Sequence, residues 1–256
     1  MVELLLDGRS AGRFLVDSGS SISLLGAAKA AELGLERRPY ASRFEAMGSG
    51  GKSATLEHYV RVGRLELGKL LVHDTRLTVV DDPALAQAGV DGILGQDLLV
   101  RLVLVLDLQR HELHLLPRGG TEVLREYLRS AEVGDGAWAM APIAFRPCPF
   151  LPLEVAGLES SVELELDTGA GSTSLPRAAI AALGLEPIGT HTLGSVGGNY
   201  DAELYALEDF GLFGLRIQTN VTAAVGEYGL LGMDILGELV VVLDGPARTL
   251  WLHRRE

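Results

Sequence analysis

One stretch of this chain is written twice. Phe14-Leu15-Val16-Asp17-Ser18-Gly19-Ser20 returns 150 residues later as Leu164-Glu165-Leu166-Asp167-Thr168-Gly169-Ala170. Leu33-Gly34-Leu35 returns at the same offset as Leu183-Gly184-Leu185. Gly50-Gly51 returns as Gly197-Gly198, Ile93-Leu94-Gly95-Gln96-Asp97 as Leu230-Leu231-Gly232-Met233-Asp234, and Leu106-Asp107 as Leu243-Asp244. Landmarks that keep their order while the offset drifts slowly are two copies of one structural unit with loop deletions. Most of the length difference falls late in the repeat. There copy one carries Asp81–Asp91, and copy two has only Gly226-Glu227-Tyr228. The reading divides the chain into an N-terminal lobe (1–117), a linker (118–138) and a C-terminal lobe (139–256). The linker is polar, with a short helical stretch expected near Glu122–Ser130 and a turn at Gly134-Asp135-Gly136.

Each copy reads mostly as strand. Val2–Leu6 and Leu151–Val155 are short apolar runs ending near Gly8 and Gly157, as hairpins do. Arg13–Val16 and Val162–Leu166 run into the two aspartates. Val100–Leu106 and Leu239–Leu243 are dense in Val and Leu, which suits buried strands. One short helix per copy is expected, at Ala27–Leu33 and Arg177–Leu183. Each stops at the glycine of Leu-Gly-Leu, and Pro176 suits the start of the second.

Composition narrows the function. A formal charge of −12 argues against nucleic acid, which calls for a basic footprint, and against anionic lipid. No apolar run approaches the roughly 18 residues that span a bilayer. The N-terminus has no signal-peptide pattern, so a chain complete as it stands is expected in the cytoplasm; the compartment is otherwise unassigned. The single cysteine, Cys148, reads as apolar filler between Pro147 and Pro149. Gly48-Ser49-Gly50-Gly51-Lys52-Ser53 has the flavour of a phosphate loop, but Ala46 stands where its first glycine belongs and no helix follows. His111 and His114 do not share a strand face and make no metal pair. Ser18 has no repeated histidine to activate it. No metal and no cofactor are expected.

The chemistry lies in the repeated Asp-Ser/Thr-Gly turns, each following an apolar strand at the same place in its copy. Each copy resembles a retropepsin-like aspartic protease, the fold of retroviral proteases and of each lobe of pepsin. The pieces that carry the resemblance are Leu15–Ser20 and Glu165–Ala170, the glycine-bearing segments Met47–Gly51 and Leu193–Gly198, and the apolar-apolar-Gly segments Ile93-Leu94-Gly95 and Leu230-Leu231-Gly232. The resemblance implies an all-β architecture of two retropepsin-like (acid protease) β-barrel lobes with pseudo-twofold symmetry. It implies that Asp17 and Asp167 are catalytic, supported by Ser18, Gly19, Ser20, Thr168, Gly169 and Ala170. Ser18 and Thr168 are expected to reach across and lock the two turns together. Gly48, Ser49, Gly50, Gly51, Gly194, Ser195, Gly197 and Gly198 fall where the family has its substrate-covering flaps.

Two carboxylates in hydrogen-bond range share one proton, because both cannot ionise easily. The charged one can then deprotonate a water while the protonated one donates to a peptide carbonyl. The expected activity is that of an aspartic endopeptidase on a peptide or protein substrate, working as a monomer because both halves of the site are present. The competing reading is a catalytically inactive peptide-binding module of the same fold. Two departures from the family pattern stand out. Ser20 stands in one turn where Ala170 stands in the other, and a serine there can hydrogen-bond a carboxylate while an alanine cannot. Copy two also has an extra segment, Met140–Pro149, which in the family joins a sheet between the lobes.

Overall fold

The computed structural model describes residues 1–117, 138–212, 215–223 and 228–254. The helix and turn expected at 122–136 lie outside the described residues. The first sheet comprises β1 (Val2–Leu6), β2 (Arg9–Val16), β3 (Leu24–Gly26), β4 (Arg38–Met47), β5 (Ser53–Leu67), β6 (Leu70–Val80) and β7 (Gly92–Leu94). A second pairing, β1 with β5, curls it toward a barrel. The order is β1-β2-β7-β3-β6-β5-β4.

After β8 (Leu102–Asp107) and β9 (Glu112–Pro117) come β10 (Ala139–Pro142), β11 (Ala144–Phe145), β12 (Pro149–Val155), β13 (Val162–Leu166), β14 (Ser174–Leu175), β15 (Gly189–Leu193), β16 (Tyr200–Leu212), β17 (Leu215–Ala223) and β18 (Gly229–Leu231). The second sheet runs β11-β12-β13-β18-β14-β17-β16-β15, with β12 also meeting β16. Apart from the added β11, it repeats the first sheet strand for strand. The duplicated sequence has folded into a duplicated topology.

Alternation explains why these strands form. In β2 and β13, Phe14, Val16, Leu164 and Leu166 are buried in the lobe cores. The residues between them point to the other face, as the pleat requires. The Asp7-Gly8 turn between β1 and β2 has positive φ at both residues (50° and 77°), the two-residue hairpin geometry that matches strand twist.

The two lobes meet in a third sheet. With β19 (Leu239–Asp244) and β20 (Thr249–Arg254) its order is β10-β20-β19-β8-β9. β8 of the first lobe pairs antiparallel with β19 of the second, and Val105 lies opposite Val242. These are equivalent residues of the repeat, so a local twofold axis passes between them. Both are fully buried. The extra segment ahead of copy two contributes β10, which pairs with β20.

The expected helices are present as α1 (Ala27–Glu32) and α4 (Arg177–Leu183). Gly184 caps α4 in the left-handed region at φ 62°. Three shorter helices accompany them among the described residues: α2 (Pro83–Gln87), α3 (Gln96–Leu99) and α5 (Met233–Leu236). At four or five residues they are too short to leave a helical period in the sequence. One strand boundary is corrected by α3. Val100 is its C-cap, and β8 starts only at Leu102. Ser53, which in a phosphate loop would lead into a helix, instead begins β5. Among the described residues no helix is long and apolar enough to cross a membrane.

Candidate active site

Each candidate aspartate stands at the end of a strand threaded beside a second one. β2 runs parallel to β7, and β13 parallel to β18. The Asp17 N–H donates to the Leu94 carbonyl and the Asp167 N–H to the Leu231 carbonyl, both at 3.0 Å. The chain then turns back on itself. Gly19 N–H donates to Asp17 Oδ1 at 2.9 Å, and Gly169 N–H to Asp167 Oδ1 at 2.8 Å. The next segment is pinned by Gln96 N–H to the Ser20 carbonyl and Met233 N–H to the Ala170 carbonyl, both 2.8 Å. The apolar-apolar-Gly segments pass so close to these turns that a Cβ at Gly95 would strike the Ile22 backbone, and one at Gly232 the backbone of Ser172.

Beneath the turns, a hydroxyl and a carboxylate brace each lobe. Ser23 Oγ donates to Asp97 at 2.6 Å and accepts from Gly95 N–H at 3.0 Å. Thr173 Oγ1 donates to Asp234 at 2.7 Å and accepts from Gly232 N–H at 3.0 Å. The Gly-Gln-Asp and Gly-Met-Asp landmarks thus have a structural purpose that sequence reading did not assign. Gln96 adds a tie on the first side only, its amide donating to the Ser18 carbonyl at 2.9 Å.

The two turns are locked together across the junction. Ser18 Oγ donates to the Leu166 carbonyl at 2.6 Å and accepts from Thr168 N–H at 3.0 Å. Reciprocally, Thr168 Oγ1 donates to the Val16 carbonyl at 2.8 Å and accepts from Ser18 N–H at 3.0 Å. All four groups are buried, so none has water as an alternative partner. The lock brings the Asp17 and Asp167 carboxyl groups into hydrogen-bonding contact. Each carboxyl also rests on the opposite glycine: Asp167 on Gly19, and Asp17 on Gly169.

The electrostatics follow from that crowding. Both aspartates are densely surrounded by protein while keeping partial access to solvent. Burial holds Asp17 well above the ordinary carboxylate range, and the charge of Asp167 raises it further. Burial also raises Asp167, against hydrogen bonds that favour its ionised form. The pair therefore retains a proton at pH values where a solvated carboxyl has lost it.

Of the two turns only the first carries a hydroxyl at this place, and the Ser20 hydroxyl donates to the Ile22 carbonyl at 2.9 Å. Cys148 is more than filler. Its buried thiol donates to the Gly19 carbonyl at 3.2 Å, linking the second lobe to the Asp17 turn. Burial, with the charge of Glu165 beside it, pushes the thiol far up, so it is no nucleophile at neutral pH.

The candidate flap residues meet each other. Gly48–Gly51 form the tip between β4 and β5, and Gly194–Gly198 the tip between β15 and β16. Ser49 Oγ and Ser195 Oγ are 3.2 Å apart, and Gly50 N–H donates to Ser195 Oγ at 3.4 Å. Four further residues outside the predicted set join them: Lys52, Asn199, Tyr200 and Asp82. Lys52 Nζ donates to the Asn199 carbonyl at 2.6 Å, and Tyr200 Oη to Ser49 Oγ at 3.4 Å. Asp82, in the insertion unique to copy one, accepts from Gly197 N–H at 2.8 Å while capping α2. The unequal insertion and the Lys next to Gly51 were the available signals. Among the described residues no cluster of His, Cys, Asp or Glu is arranged to hold a metal.

The sequence profile of the family described as Aspartyl protease matches residues 2–98 and again 151–235. The fold is similar to that in the crystal structure of aspartic proteinase from Irpex lacteus, over 99% of this chain and 93% of that one, with a TM-score of 0.58. Sequence identity to it is 14%, so this likeness speaks for the fold alone. No curated protein matches the chain in sequence.

Proposed function

Because this chain belongs to the aspartyl protease family, we propose that it is an aspartic endopeptidase that hydrolyses peptide bonds with a water activated between Asp17 and Asp167. The observation that carries the reading is the contact between these two carboxyl groups on equivalent, mutually locked turns. A module that only bound peptide would gain nothing from keeping two buried, mutually repelling acids. In the proposed cycle the ionised member of the pair takes a proton from water, and the water oxygen attacks the peptide carbonyl carbon. The protonated member donates to the carbonyl oxygen. The proton taken from water passes to the amide nitrogen, the C–N bond breaks as a gem-diol hydroxyl returns its proton to the pair, and no covalent bond to the enzyme forms. Burial raises both members, so the shared proton belongs to the pair rather than to one named aspartate.

The lobes, 1–117 and 139–256 with a connection over 118–138, each supply one half of the site, so a monomer is the proposed active form. The two glycine-bearing tips are proposed to part for substrate and close over it. The substrate is an extended peptide segment lying beneath them.

The test is digestion of a diverse peptide mixture from acid to neutral pH, with products read by mass spectrometry. Cleavage is expected, and none at any pH would reject the proposal. The pH profile has a defined sign. A pair that must hold one proton works until that proton leaves, and the raised Asp17 places the loss above the ordinary carboxylate range. Activity is therefore expected to persist above pH about 4, the ordinary carboxylate value, and then to fall on the alkaline side. A rate still climbing through alkaline pH would point to a different nucleophile.

A further inference from the structure

Strand alternation puts two more side chains beside the aspartates. Leu15 lies on the same strand face as Asp17, and Glu165 on the same face as Asp167. These are equivalent positions of the repeat, yet one is apolar and the other acidic. Their neighbours differ in the same sense. In the first lobe Leu15 packs with Ile22, Leu24, Leu56 and Ile93 in an apolar cluster that reaches Ala46 and Ala54 on the flap strands. Ser23 and Thr173 fix the correspondence, because each carbonyl accepts from Thr78 or Thr222 and each hydroxyl from the following-strand glycine. Ile22 thus corresponds to Ser172, and Leu24 to Ser174. Across the sheet, Leu15 and Leu24 both lie opposite Ile93, whereas Glu165 and Ser174 both lie opposite Leu230.

Glu165 is partly buried next to Cys148, within reach of the charge on Asp167. Among the described residues no basic side chain pairs with it; Arg146, the nearby cation on this face, is committed to Glu163 by contacts of 2.7 and 2.9 Å. A carboxyl in this position is costly to bury unless something in the working complex meets it.

We propose that Glu165 determines specificity: the second lobe's flank of the cleft accepts a substrate side chain bearing a positive charge, Lys or Arg, while the first lobe's flank accepts an apolar one. The inference rests on the peptidase reading and deepens it. A peptide bound across the junction then has a fixed direction, because the two flanks of the pseudo-symmetric site take different side chains. Burial, opposed by the Cys148 contact and reinforced by the charge of Asp167, pushes Glu165 up to about 7. A cation brought beside it stabilises the ionised form, so preference for Lys or Arg strengthens as pH rises from 5 toward 8. The groups that set this behaviour are Asp167 on the same strand face, Cys148 from the β11–β12 turn, and the mutually neutralised Glu163 and Arg146.

The test compares wild type, Glu165→Leu and Glu165→Gln on peptides that differ only by Lys, Arg or Leu at the positions flanking the scissile bond. Leu is what the first lobe carries at this place, and Gln keeps the size. Wild type is expected to favour Lys or Arg over Leu at one flank by about tenfold or more in kcat/KM, as a buried charge pair can supply. Glu165→Leu is expected to reverse that preference, and Glu165→Gln to weaken it. If wild type and Glu165→Leu cleave with the same preference, the inference is overturned while the peptidase reading stands. If no protein cleaves anything, the peptidase reading fails, and binding of the same peptides with a reduced, uncleavable amide decides the Glu165 question. Tighter binding of the Lys peptide that disappears in Glu165→Leu upholds it, and equal binding overturns it.

Discussion

Asn in place of Asp17 or Asp167 is expected to remove nearly all peptide cleavage, by about a thousandfold or more in kcat, the range lost when one member of a concerted catalytic group is removed. The two carboxyls are in contact, and each role in the proposed cycle needs one of them. An amide can neither take the proton from water nor complete the shared-proton pair. The double variant is expected to be little worse than either single one, because the residues act as a unit. Folding should survive, since Asn matches Asp in size and removes a buried charge.

Stability should rise. Burial and Asp167 raise Asp17, so its folded form resists ionisation. Its contribution to stability is then full below the ordinary carboxylate range and is lost as pH climbs through the raised value. Asp17→Asn escapes that loss. Its thermal midpoint should equal that of wild type at pH about 3, below the ordinary carboxylate value, and exceed it at pH 7. Retention of wild-type turnover in either single variant would end the shared-proton mechanism.

The second large effect is expected from a single methyl group. A Cβ at Gly19 would lie 2.6 and 2.7 Å from the carboxylate oxygens of Asp167. That carboxylate cannot simply swing away, because it accepts from Gly169 N–H at 2.8 Å and Ala170 N–H at 3.1 Å. Gly169→Ala meets Asp17 in the same way. Displacing a catalytic group by about 1 Å costs on the order of a hundredfold in rate, and both variants should lose at least that much. Gly171→Ala is the control, since a Cβ there meets nothing within 4 Å. If Gly19→Ala cleaves like wild type with an unchanged thermal midpoint, the close approach of the turns is not what organises the site.

The duplication was legible because it repeats with its landmarks in order, and it carried the strand plan and the position of both aspartates with it; the Ser18–Thr168 lock was implied only by the family resemblance. Local signals served where one residue decides the geometry, as at Gly184. What stayed hidden depends on contacts between distant segments. The sequence places Lys52 beside a glycine turn but not beside Asn199, and it presents Asp82 as part of an unexplained insertion rather than as an anchor for Gly197. The partner of the Ser20 hydroxyl, the Ile22 carbonyl, is likewise set by the folded turn rather than by the letters around it. The short helices α2, α3 and α5 escaped notice because one turn gives no period. Glu165 was visible as a letter in the repeat, but its meaning needed the apolar cluster around Leu15 for comparison.

The central claim is that one chain holds one complete two-carboxylate site. Active-site titration tests it most directly: cleavage of a responsive peptide is followed while a tight, transition-state-mimicking statine inhibitor is added to a known concentration of chain. The account predicts that activity is extinguished at one equivalent of inhibitor per chain, at every protein concentration tried. Extinction at half an equivalent would mean that the site is assembled between two chains. Cleavage that persists through an excess of inhibitor would mean that Asp17 and Asp167 do not carry it out.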